Sequence, residues 1–210
     1  MKGIIFGGIV PHGYSLIGEI AGPEFDKFKS LRDSMELFGK NLAEKAVDTI
    51  VMLTPHGLRL KDYNAIYTSE HCRGSLTQYG KTVSLDYLCD KDLALGILNS
   101  AEQAGIPIVG CNYGALSGPE SNIPMDWGTL IPLWFLKGTK PRITVINPTR
   151  EITLDKLIQL GEIINQEAVK SGKKVAIIAS ADQGHTHDEG GPYGYHPAAK
   201  EYDELVCRII

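Results

Sequence analysis

The chain has 210 residues, enough for one domain of ordinary size with a continuous core. Lys and Arg total 21 against 25 Asp and Glu, a formal charge of −4, and hydrophobic residues make up 43%. This balance excludes wholesale disorder and the overall basic footprint of a nucleic-acid or membrane-surface protein. No apolar run approaches the roughly 18 residues that span a bilayer. The opening Met1–Gly8 is too short and glycine-broken for a signal peptide. Cys72, Cys89, Cys111 and Cys207 show no CxxC spacing, so reduced thiols and a cytoplasmic setting are expected.

In chain order, Lys2 to Val10 is the first apolar run, followed by Thr49–Leu53, Ile106–Cys111, Arg142–Ile146 and Lys174–Ala179. They are continuous rather than alternating, as expected of strands covered on both faces. Ile66–Thr68 and Thr82–Leu85 alternate more and read as edge or hairpin strands. From Pro23 to Val47, Phe25, Phe28, Leu31, Met35, Phe38, Leu42 and Ala46 recur at helical spacing. Residues 90–105 open on an aspartate cap and close on glycine, and 153–172 run from threonine to glycine. Met125–Leu136 reads as a loop entering a short buried helix, and a last helix begins after Pro197. The pattern predicts a single α/β domain over 1–210: three αβα layers around a mainly parallel central sheet. The last helix ends on apolar residues without a capping glycine, so a further natural C-terminal segment is expected.

In open α/β sheets, ligands bind at the carboxyl ends of strands. Three predicted strands each deliver a histidine there: Pro11-His12-Gly13, Pro55-His56-Gly57 and Ser180-Ala-Asp-Gln-Gly-His185. The prolines stop the strands, and the glycines are expected to allow sharp turns. Any one such histidine is commonly a turn residue, but three at equivalent strand ends point to a metal site lined by imidazoles. His185 follows a longer loop, a reach suited to an acid/base group over a substrate, with Asp182 expected to orient it. Asp126 and Trp127, just before a helix, are expected to face the cleft and contact substrate. His71 reads as a surface or rim residue, and Arg59, Lys61, Arg73 and Arg150 as candidate clamps for a substrate carboxylate. Phosphate-loop and GxSxG motifs are missing from the sequence.

These blocks, together with Asp126-Trp-Gly-Thr-Leu-Ile-Pro-Leu133, Gly191-Pro-Tyr-Gly-Tyr195 and Tyr202-Asp203, resemble the class III extradiol ring-cleavage dioxygenases of the protocatechuate 4,5-dioxygenase β-subunit (LigB) type. Memo-like proteins share that fold. The resemblance covers most of the chain. It implies a non-haem Fe(II) held by His12, His56 and a glutamate expected beyond Ile210, with His185 as acid/base. A small aromatic diol and O2 would be the substrates, and a homo-oligomer is expected. Many members carry a histidine where this chain has Trp127, whose indole accepts no hydrogen bond. Two other readings stay open: a Memo-like binding protein with a vestigial site, and a zinc-dependent hydrolase using His12, His56 and His185 as ligands.

Overall fold

The computed structural model describes residues 2–136 and 138–210. Its elements in order are β1 (Gly3–Val10), α1 (Lys29–Lys45), β2 (Thr49–Leu53), β3 (Asn64–Tyr67), β4 (His71–Gln78), β5 (Lys81–Leu88), α2 (Lys91–Gln103), β6 (Ile108–Cys111), β7 (Asn122–Pro124), α3 (Trp127–Trp134), β8 (Arg142–Asn147), α4 (Leu154–Ser171), β9 (Lys174–Ser180) and α5 (Ala198–Ile209). Six strands form the main sheet in the order β1-β9-β2-β8-β3-β6. All its pairs are parallel except β3 with β8.

Alternate side chains of the central strands feed two separate cores. Ile50, Met52, Ile143, Val145, Ala176 and Ile178 pack on one face with Met35 and Leu42 of α1 and Leu130, Ile131 and Leu133 of α3. Val51, Ile146 and Val175 pack on the other with Ile97 of α2 and Leu160 and Ile164 of α4. Apolar residues at both parities are what a strand buried on both faces requires. The α/β layering expected from the alternation of strands and helices is therefore present, within a single domain.

Three local expectations need correction. Ile66–Thr68 is no edge: β3 is buried throughout, between β8 and β6. Residues 82–85, by contrast, lie as expected in an edge strand: β5 forms a hairpin with β4 in a second, three-stranded sheet completed by β7. The helix expected from Pro23 starts only at Lys29, after a 3-10 turn at Gly22–Glu24, and Phe25 and Leu31 of its supposed buried stripe are exposed. At the first strand, Ile5 and Ile9 remain 42% and 45% exposed, because β1 ends the sheet. The expected termini of α2 and α4 hold: Asp90 accepts from the Leu93 amide, Thr153 from the Lys156 amide, and α4 ends on left-handed Gly172.

Candidate active site

The strand order brings the three histidines to one place. β1, β9 and β2 are consecutive in the sheet, so the loops after their carboxyl ends are neighbours. Val10 pairs with Ser180, and Leu53 with Ala179, so all three strands end level. His12, His56 and His185 line one cavity of about 450 Å³, together with Trp127, Tyr193 and Gln78.

The Nε2 atoms of His12 and His56 face each other at 3.0 Å. Their rings meet edge to face, with centroids 4.8 Å apart. The distance is that of a direct hydrogen bond between the rings, and it also brings both nitrogens within reach of one ion. Among the described residues, no group of three or more His, Cys, Asp or Glu side chains forms a ready cage. Burial holds His12 below the ordinary histidine range, against the opposing pull of the Asp182 and Asp126 carboxylates. His56 is lowered by burial and then by His12. Both shifts favour the neutral imidazole, the form in which one ring nitrogen keeps a lone pair.

The surrounding residues fix these rings. The Asp182 carboxylate accepts the His12 backbone N–H at 2.8 Å, and its other oxygen lies 3.4 Å from His12 Nε2. Asp182 thus steadies His12, whereas the sequence suggested that it serves His185. Ser180 Oγ lies 2.9 Å from His12 Nδ1. The His56 carbonyl accepts from Asn147 Nδ2. Trp127, the first residue of α3, lies over His56, and Gly128 behind it is crowded: a Cβ there would come within 2.6 Å of Thr54 Oγ1 and 3.1 Å of His56 Cδ2. Asp126 turns its carboxylate into the helix start. It accepts from the Thr129 amide at 3.0 Å, the Thr129 hydroxyl at 2.8 Å and the Thr54 hydroxyl at 2.9 Å. This is an N-cap, which the Asp126-Trp-Gly-Thr129 spacing encodes.

The two Pro-His-Gly turns are not equivalent. Gly57 is left-handed with φ +82°, and a Cβ there would stand 2.6 Å from Tyr67 Oη. Gly13 has φ −69° and open space around it. Only the second motif requires its glycine.

His185 is exposed, and its ring meets Tyr193 edge to face at 5.4 Å. Its loop is tied to α5 through Asp203, which accepts the Gly184 amide at 2.7 Å and pairs with His187 Nε2 at 2.8 Å. A larger, more apolar cavity of about 670 Å³ adjoins the first, sharing Gly13, Tyr14, Asp182 and His185. His71 does not line the histidine cavity; it pairs with Asp86 on the small sheet. None of Arg59, Lys61, Arg73 and Arg150 lines it either, and Arg73 is held by Asp86. Ser180, Asn147, Thr54 and Asp203 were not legible as site residues, because each acts through a partner far away in sequence.

The family described as the catalytic LigB subunit of aromatic ring-opening dioxygenase matches residues 8–209, and the chain belongs to it. "Protein CA_C1420" of Clostridium acetobutylicum is 28% identical over 204 residues, 96% of this chain. The chain spans 44% of that relative's length. The crystal structure of uncharacterized protein JW3007 from Escherichia coli K12 superposes with a TM-score of 0.52 at 16% identity, over 83% of this chain and 63% of that one. That likeness concerns the fold alone. Among the described residues, no helix is long and apolar enough to cross a membrane.

Proposed function

We propose that the protein is a non-haem Fe(II)-dependent extradiol dioxygenase that opens a catechol-type ring with O2. The observation that carries this reading is the convergence of His12 and His56 at neighbouring strand ends, with their Nε2 atoms 3.0 Å apart and within reach of one ion. His12 and His56 would hold the metal, and the third ligand, a glutamate expected beyond Ile210, is part of the proposal. The bound Fe(II) would supply chelation of the diol and activation of dioxygen.

The chain's own residues have separate tasks in this reading. Asp182 and Ser180 hold His12, while Asn147 holds the backbone of His56. Trp127 covers His56 and forms an aromatic wall against which a flat substrate ring can stack. Asp126 contributes by fixing the start of α3 and hence the indole. His185, exposed in the same cavity, accepts a hydroxyl proton from the diol and returns it after ring opening, a role open to an imidazole side chain. The product would be a ring-opened semialdehyde acid containing both oxygen atoms. A cytoplasmic setting and a homo-oligomeric assembly belong to the same reading.

Anaerobic purification with elemental analysis, then oxygen uptake on a catechol panel, tests the reading. Stoichiometric iron with oxygen consumption is the expected result. Bound zinc with hydrolysis and no oxygen uptake overturns it in favour of the hydrolase, and failure to bind any metal favours a binding protein.

A further inference from the structure

We infer that Ser180 fixes the tautomer of His12, leaving its Nε2 bare, and that Pro132 is the reason Ser180 can do so. The chain of causes starts in α3. Within a helix the Gly128 carbonyl would accept from the amide of residue 132. That residue is Pro132, which has no N–H. The carbonyl is instead reached by the Ser180 hydroxyl at 2.5 Å, in a buried setting. A carbonyl only accepts, so the single hydroxyl proton of Ser180 points at Gly128. Ser180 then has only lone pairs to offer His12 Nδ1, 2.9 Å away. The Nδ1 atom must be the donor, and in a neutral ring Nε2 carries the lone pair.

The opposite polarity fails on distance. It would leave two oxygens, Ser180 Oγ and Gly128 O, 2.5 Å apart with no proton between them. In exchange it would gain only a contact from His12 Nε2 to Asp182 Oδ2 at 3.4 Å, longer than an ordinary N–H···O bond, because the 3.0 Å contact with His56 takes one proton from either ring and favours neither tautomer.

A second consequence follows at the facing ring. With His12 Nε2 bare, the 3.0 Å contact is a hydrogen bond only if His56 Nε2 carries a proton. In the metal-free protein His56 is thus the donor and His12 the acceptor. A cation entering between them finds His12 already in its binding form, while His56 must move its proton to Nδ1. Ser180 is a positioning residue: it biases one ring before any ion arrives. The tautomer does not depend on the metal; its value for metal binding rests on the function proposed above.

Long-range ¹H–¹⁵N spectra of the metal-free full chain near pH 7.5 read the tautomers directly. Expected is a protonated Nδ1 on His12 and a protonated Nε2 on His56. A protonated Nε2 on His12 overturns the inference. Ser180→Ala should let His12 populate both tautomers and weaken Co(II) affinity about tenfold, the low end for loss of a residue that orients a ligand. Ser180→Thr, which keeps the hydroxyl, should restore both signals. A Ser180→Ala protein with the His12 pattern of the parent overturns the role of Ser180. If the parent shows the expected tautomers yet takes up no cation, the proposed function fails and the tautomer assignment stands.

Discussion

The indole of Trp127 lies across the imidazole of His56, with ring centroids 4.0 Å apart and planes inclined by 31°. One face of a proposed ligand ring is thereby covered by an aromatic surface that is itself 49% exposed. An indole so placed senses any change at His56. In a Trp134→Phe background, which leaves Trp127 as the only tryptophan, Co(II) or Fe(II) should quench the fluorescence with one-to-one stoichiometry. Emission indifferent to a metal shown to be bound would separate Trp127 from the site.

His12→Ala and His56→Ala should each abolish stoichiometric Fe(II) binding while the circular dichroism spectrum is retained. Both rings follow strand ends and leave the central strand cores untouched. Full iron occupancy in His56→Ala would remove it from the ligand set.

His185→Gln should keep iron and still bind catechol, but lose ring cleavage by about 10²–10⁴-fold, the usual contribution of a positioned proton-transfer group. Loss of iron in this variant would make His185 a ligand instead. Turnover equal to the parent would show that it takes no part in catalysis.

Gly57→Ala and Gly13→Ala should behave differently despite identical tripeptides. The first combines a positive φ with contact on Tyr67 Oη, and should cost about 1–3 kcal/mol and impair metal uptake. The second meets no atoms and should stay within about 0.5 kcal/mol. Equal effects in urea titrations would mean that the shared motif, not the backbone conformation, sets the requirement.

Far from the site, Lys173 Nζ lies 2.6 Å from the buried Asp90 carboxylate, which also accepts from Thr49 at 2.5 Å. Burial opposes ionisation of Asp90, but hydrogen bonds from Lys173, Thr49 and the Leu93 amide outweigh it and hold the carboxyl below the usual range. A depressed pKa contributes stability above the unfolded-state value of about 3.9 that is lost as pH falls through the folded-state value. Lys173→Met should therefore cost about 2–3 kcal/mol at pH 7, less than for a fully buried pair because Lys173 is 30% exposed. The gap to the parent should narrow below about pH 4. A gap that is constant with pH would assign the loss to packing.

The strand ends and their histidines could be read from sequence because proline, histidine and glycine break an apolar run abruptly. The order β1-β9-β2 could not, since nothing local says which parallel strands adjoin. That order is why Asp182 lies against His12 rather than serving His185. β4 escaped notice because His71–Gln78 is polar and interrupted by Gly74, with its burial supplied by α3 and β5 from elsewhere in the chain. β3 was misjudged because four residues are too few for a period to reveal burial on both faces. The role of Asp126 as a cap was marked by the threonine three positions later, and the residue also borders a cavity with Gly57 and Tyr67.

The terminal position of β1 has a kinetic consequence. Among the described residues this strand is laddered to β9 alone, and Val10↔Ser180 is the last rung before the loops that carry His12, Asp182 and His185. One local opening of that ladder parts His12 from both Ser180 and Asp182 in a single event. Those amides of Phe6–Val10 and Ile177–Ser180 that bridge β1 to β9, rather than β9 to β2, should then exchange at a common rate, and an ion clasped by His12 and His56 should slow them together, as one unit of unfolding.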